Sequence, residues 1–592
     1  MSQFLDTNKI DNTDQIETRH FISLLHKDNS LNLLSLILTV FDIYYEAFSK
    51  IIEKAGLNID QIDYLNQDGV NEDLLNLCNE ILHAIEKLNF RDINKFFEFI
   101  QRIFMSNSII TIGIEQDYID REFRDSYYFH YSERHLELER YCIRLVFFQN
   151  NQVEILSNQF TDEKINILQN NIIGSMVIRP IINCSIGRTL INPRFLLNGS
   201  NAYLRTSLYN IYYLGIKFKI RAFPYLMQDN ITTSCAEVTL LNILDYYSNQ
   251  YSDYKFSVPS NIHNLVKQEH FDRVIPTTGL SYQTMSRILC KMGFYPKLYI
   301  CGSNMSKNEI KNILSYYVES GMPIAIGLKE DTSMITPGHS VICIGHGECN
   351  FDLKYEKVCH TDNLKTPYIN SVKSYFTYMI QDDTQFPYAI ANFIGENTIQ
   401  YKNENKIQMN ITCMIAPLYK RMYMDAQKAE NTILKILDKK DFSPLENSKL
   451  SYNDKNPIIF RLFLASSRHL KQARINNIKN EWVVNLYQEI PLPQFVWVCE
   501  LYDKQGYKRN MAFGEIILDA TYAGQDLIDS CLLINYPNKQ LAQNMYKQSI
   551  FLDDQNLPYN SFDWITIPEQ YCNCEYPAYN YNLRPANSIQ NE

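Results

Sequence analysis

The stretch Gln228 to Tyr247, QDNITTSCAEVTLLNILDYY, constrains this chain more than any other. From Ala236 onward, Leu240, Leu241, Leu244 and Tyr247 recur at the spacing of one helical face, which predicts a helix packed into a core. Thr232, Thr233 and Ser234 stand just before it as N-cap candidates. Cys235 therefore falls on the first turn, where unpaired backbone N–H groups and the positive end of the helix dipole favour a thiolate. Gln228, on the approach, carries a side-chain amide that can join the Cys235 backbone N–H in holding an oxyanion. Taken alone, Cys235 is one of 14 cysteines in a residue type that is usually buried, so only a partner set gives it a chemical role.

The partner set lies downstream. Ser281 to Met292 has helical spacing and is closed by Gly293; a short strand, Pro296 to Ile300, follows. Ser306 and Glu309 make a capping box ahead of Ile310, Ile313, Leu314 and Tyr317, and Gly321 is placed to end that helix. Two strands are expected next, Pro323 to Leu328 and His339 to Ile344, joined by a polar loop. His339 enters the second of them just after Gly338, where its ring can point toward the Cys235 helix and serve as general base. His346, after Gly345, is the rival base. A third strand, Ser374 to Ile380, ends at Gln381, Asp382 and Asp383, and a carboxylate there can fix the imidazole tautomer. Alternation lets only one of the adjacent aspartates face the site, and Asp382 is preferred.

At these residues the sequence resembles the papain-like cysteine peptidase superfamily, in particular the compact bacterial type similar to C39-like peptidases. The resemblance covers about 222–392: Gln228 ahead of Cys235-Ala236 at a helix start, His339 in GHSVICIGHG, then an Asp-ending strand. It implies a helical half carrying the nucleophile, a sheet half carrying the base, and a peptide or amide substrate in the cleft between them. The chain departs from the family in having Ala236 where glycine is common after the cysteine, and in an insertion at roughly 348–373.

At 592 residues the chain is expected to form several cores, and 45% hydrophobic with 21% charged residues is the balance of a globular protein. The fold class expected is α+β and multidomain: a helical region at 1–125, a small α/β or β region at 126–220, a papain-like catalytic domain at 221–420, and a C-terminal α/β region with an irregular tail at 421–592. Within the first, 16–105 reads as mainly helical, with Leu74, Leu77, Cys78, Ile81, Leu82, Ile85 and Leu88 on one face. In the second, Tyr141 to Phe148 and Gln152 to Leu156 read as a hairpin, with further strands at Ser175 to Ile181 and Tyr212 to Ile220. In the last, a helix over DAQKAENTILKILDK precedes strands at Pro457 to Ala465, Phe495 to Tyr502 and Met511 to Asp519. The stretch from about 553 lacks a period and reads as a loop or a surface strap.

A net charge of −10 without a long basic run argues against a nucleic-acid partner. The polar N-terminus lacks a secretory pattern and no apolar run is long enough to span a bilayer, so neither export nor a membrane is expected. The cysteines are scattered, which fits reduced thiols in a cytoplasm; Cys572 and Cys574 form a lone CxC, a weak metal signal. Phosphate-loop, dinucleotide, HExxH and EF-hand patterns are all missing, so no cofactor or metal is expected. The expected function is hydrolysis of a peptide or isopeptide bond through Cys235, His339 and Asp382 or Asp383, with Gln228 at the oxyanion. The partners expected are a protein or peptide substrate and a regulatory protein. The alternatives are a Cys-dependent acyltransferase or deamidase, or a non-catalytic scaffold retaining the fold.

Overall fold

Six antiparallel strands close on themselves at the centre of the chain: β1 Ile324–Lys329, β2 His339–His346, β3 Thr377–Gln381, β4 Ala389–Phe393, β5 Thr398–Tyr401 and β6 Gln408–Ala416. Each pairs with the next, and β6 pairs back to β1, so the ring is a barrel with no free edge. This is a computed structural model. It describes residues 20–26, 30–56, 72–87, 90–105, 107–135, 138–157, 159–197, 200–268, 274–330, 338–347, 358–363, 365–402, 408–439, 452–478, 481–536, 539–543, 564–567 and 576–591.

Both faces of the barrel wall are covered, which is why β1 and β2 read as unbroken apolar runs. Val341 and Cys343 join one hydrophobic core with Ile326 and Leu328, while Ile342 and Ile344 turn the other way into a second core with the Cys235 helix. A bulge between Cys343 and Gly345 in β2 lets Tyr203–Leu204 add on beside Gly345 and His346. Gly345 is needed there, since a Cβ would stand 2.1 Å from the Tyr203 carbonyl oxygen.

The helix Cys235–Gln250 packs on the outside of the barrel. One buried face was expected, but every residue from Ala236 to Tyr247 is buried. The reason is that other segments cover its remaining faces: Arg188 pairs with Asp245, and Phe223 stacks on Tyr246. Ser281 caps Tyr282–Lys291, and the Ser306/Glu309 box opens Lys307–Glu319, as their sequence signals indicate. Gly293 and Gly321 terminate these helices at positive φ, 97° and 67°.

Among the described residues of 16–105 helix predominates, as expected, but the helices do not form a bundle of their own. Helices Ser30–Val40, Tyr45–Lys54, Glu72–Lys87 and Arg91–Phe104 pack with a five-stranded antiparallel sheet, His20–His26, Ile109–Tyr118, Cys142–Gln149, Ile172–Ile178, Ile186–Ile191. On the expected helical face, Cys78, Ile81, Leu82 and Ile85 are buried and Leu77 half-buried; the Leu74 side chain and Leu88 lie outside the described residues. The sheet takes strands from both sides of 125/126, so the two expected regions share one sheet.

The hairpin expected over 141–156 does not form. Cys142–Gln149 is flanked on both sides by Ile109–Tyr118 and Ile172–Ile178, so no edge is left, and Val153–Leu156 is a single helical turn. The strand expected over 212–220 is instead a hairpin of Ser207–Tyr213 and Ile216–Ala222, turned by Leu214 and Gly215 at φ of 49° and 75°.

C-terminal strands form an eight-stranded sheet. Its first two strands, Cys359–His360 and Pro367–Asn370, come from the expected insertion, and Pro367–Asn370 runs parallel to Ile458–Ser466. The sheet therefore crosses the expected 420/421 boundary. The tail over 576–591 is a strap, but not a surface one: Tyr579, Leu583, Ala586 and Ile589 are buried, and Asn591 bonds Asn192, Arg221 and Ile172. Cys572 and Cys574 lie outside the described residues. Among the described residues, no helix is long and apolar enough to cross a membrane.

Candidate active site

The loop before the helix is organised by a buried carboxylate. Asp229 accepts the backbone N–H groups of Ile231, Thr232 and Thr233 at 2.9, 2.7 and 2.7 Å, and the Tyr131 hydroxyl at 2.9 Å. Burial opposes its charge, but Arg179 and these donors outweigh that and hold the carboxyl below its ordinary value. The folded loop delivers Ser234 as N-cap, in a reciprocal capping box with Glu237. Thr277 donates to the other Glu237 oxygen at 2.7 Å. Cys235 thus opens the helix, part-exposed at the mouth of a cleft, while the turns behind it are buried.

His339 begins β2, on the barrel side of the same cleft. Its Nε2 lies 2.7 Å from Asp382 Oδ1, and Cys235 lines the same cleft beside its ring. With Nε2 turned to the carboxylate, Nδ1 is the nitrogen left to exchange a proton with sulfur. Asp382, at the end of β3, is fully buried and saturated: Oδ1 also accepts the Thr384 N–H and hydroxyl, both at 2.8 Å, and Oδ2 accepts the Tyr401 hydroxyl at 2.6 Å. Burial disfavours the His339 cation, but Asp382 above all, then Cys235 and Asp383, overcome it and push the imidazole up to about 11. Burial likewise disfavours the Asp382 anion, and His339, Tyr401 and Thr384 reverse it, holding that carboxyl well below its ordinary range.

Asp383 is placed differently. Its Oδ1 stands 3.7 Å from His339 Nε2, and neither carboxylate oxygen accepts a hydrogen bond. Burial and then the Asp382 charge push it up to about 6. Of the adjacent pair, Asp382 orients the imidazole.

No protein-family model matches the chain, and no curated protein matches it significantly.

The cleft between helix and barrel holds a cavity of about 430 Å³. Cys235 and His339 line it, with Leu280, Tyr282 and Met285 on one wall and Ile326, Gly327 and Leu328 on the other. Lys329 is the one charged residue besides His339 among those lining it. Among the described residues, one cluster has the composition of a metal site, His339 with Asp382 and Asp383. The lone pairs of Asp382 are already taken by His339, Thr384 and Tyr401, so the cluster reads as a hydrogen-bonded orienting set.

The structure brings Cys235, His339 and Asp382 together. Gln228 sits half-buried in the segment leading to the helix and does not line the cavity. His346, the rival base, is at the far end of β2. It is buried, with Nε2 3.0 Å from Glu319 and its ring stacked between Tyr203 and Tyr375. Glu319 is in turn held by Arg461 at 2.7 Å, so this imidazole belongs to a separate ion-pair network. Tyr401, Thr384 and Asp229 went unmarked in the sequence. Asp229 had a local signal, an Asx-type turn with its acceptor just ahead of ITTS, whereas nothing local ties Tyr401 to Asp382.

Proposed function

We propose that the protein is a cysteine peptidase whose nucleophile is Cys235, whose general base and acid is His339, and whose orienting carboxylate is Asp382. The observation that carries this reading is the convergence of Cys235, at a helix N-terminus, and His339, on a barrel strand and bonded to Asp382, on one cleft. A sulfur-bearing helix facing a base-bearing barrel accords with the papain-like core implied by the resemblance.

In the proposed reaction the His339 imidazolium carries at Nδ1 the proton given up by the Cys235 sulfur, and that sulfur attacks the substrate carbonyl carbon. The oxyanion formed accepts from the Cys235 backbone N–H, one of the donors that a helix leaves unpaired at its start. Collapse of the adduct breaks the C–N bond, and the leaving amine takes the proton from His339. A water then gives a proton to His339 and attacks the thioester, releasing a carboxylic acid and returning the proton to sulfur. The apolar cleft walls favour a peptide with an apolar side chain near the scissile carbonyl. The cysteines among the described residues are all free thiols, in keeping with a reducing compartment such as the cytoplasm.

The test uses iodoacetamide near pH ~7, with the adducts located by mass spectrometry. Cys235 should be alkylated faster than the exposed Cys290, and the advantage should vanish in His339→Ala. Equal rates at Cys235 and Cys290 would sink the proposal.

A further inference from the structure

The turn that carries Asp382 is not held by the barrel alone. Lys95, on the N-terminal helix Arg91–Phe104, is buried, and its ammonium donates to the Asp383 carbonyl at 2.6 Å and to the Tyr225 hydroxyl at 3.3 Å. That hydroxyl lies 3.1 Å from the same carbonyl and 3.0 Å from the Gln385 carbonyl. Further along the helix, Phe99 packs on Phe386 at 5.3 Å and the Arg102 guanidinium lies over the same ring at 5.0 Å. Three successive helical turns thus grip 383–386, immediately after the residue that orients His339.

A buried ammonium is costly unless anions or acceptors face it. Here the groups facing it are the Asp383 carbonyl, the Tyr225 hydroxyl and the charges of Asp383 and Asp382, with Arg91 opposing. The two Asp383 carboxylate oxygens, buried and without a hydrogen bond, have Lys95 as a nearby countercharge. No packing requirement explains an ammonium at this place, since an apolar side chain of the same length would fill it more cheaply.

We propose that Lys95 is a positioning residue for His339, an N-terminal cation that fixes the 382–385 turn so that Asp382 meets the imidazole. The effect on catalysis rests on the peptidase reading; the positioning itself does not. It makes the helix 91–104 an integral part of the candidate active site rather than a separate docking or regulatory unit.

The experiment uses the full chain and its Lys95→Met, Lys95→Arg and Tyr225→Phe variants, with two readouts. One is the low-field proton NMR signal of the His339 Nε2–H bonded to Asp382, assigned by its loss in His339→Ala; the other is the alkylation rate of Cys235. Lys95→Met should broaden or abolish the low-field signal and slow alkylation about tenfold to a hundredfold, with the melting temperature held or raised. Lys95→Arg should restore most of both, and Tyr225→Phe should give a smaller loss in the same direction. A signal unchanged in Lys95→Met overturns the proposal whatever Cys235 does. If Lys95→Met fails to fold, an unchanged signal in Tyr225→Phe overturns it instead. If the signal responds to Lys95 while wild-type Cys235 is inert, the positioning stands and the peptidase reading falls.

Discussion

His339 Nε2 lies 2.7 Å from Oδ1 of Asp382, and the same carboxylate oxygen accepts two further bonds from Thr384. A buried imidazole would ordinarily be neutral, and this contact is what makes it a cation.

Replacing Asp382 by Asn keeps the shape and removes the charge. The imidazolium that protonates the leaving amine exists below about pH 11 and is lost as pH rises through that value. In Asp382→Asn the alkaline limb of kcat/KM should move down toward the ordinary histidine value of ~6.5, with turnover reduced on the order of 10²–10⁴. Asp383→Asn should stay within about tenfold of wild type. An alkaline limb that does not move would mean that another group sets the base.

Tyr401 donates to the second Asp382 oxygen at 2.6 Å in a buried setting. Tyr401→Phe leaves that oxygen unpaired, at a cost of about 1–3 kcal/mol. The expected outcome is a lower urea midpoint and a fall in kcat with little change in KM. A KM effect alone would place Tyr401 against substrate rather than behind the base.

Asp383 contributes a pH dependence to stability. Its folded value, about 6, is above the ordinary 3.8, so the native state binds the proton more tightly. That contribution is fully present below pH 3.8 and is lost as pH rises through about 6. Relative to wild type, Asp383→Asn should therefore gain stability between about pH 4 and pH 7, on the order of 2–3 kcal/mol. Urea unfolding at the two pH values measures it, and a difference independent of pH would contradict the assignment.

His346 separates the two histidines of β2. It bridges Glu319 within a buried network that includes Arg461, so His346→Ala should cost about 3 kcal/mol of stability. Its expected effect on Cys235 alkylation is less than about twofold, against complete loss of the rate advantage in His339→Ala. Loss of that advantage in His346→Ala as well would show that the two ends of the strand are coupled.

What the sequence by itself determined was local. The Ser234 and Ser306 caps, the glycines that end helices at Gly293 and Gly321, and the apolar spacing behind Cys235 all act within a turn or two of chain, so a window of residues suffices to read them. The order of Cys235, His339 and the aspartate pair was legible for the same reason: each stands at the end of an element whose limits are local. Only the tertiary structure decided which aspartate meets the imidazole, because β3 and the 382–385 turn are set by Tyr401, Tyr225 and Lys95, all remote in sequence. It also decided that β6 returns to β1, that Cys142–Gln149 has a neighbour on each side and so no hairpin partner, and that the tail is buried beside Asn192. Strand pairing and the neighbours of a buried charge depend on which distant segments share the space, and residue spacing does not record that.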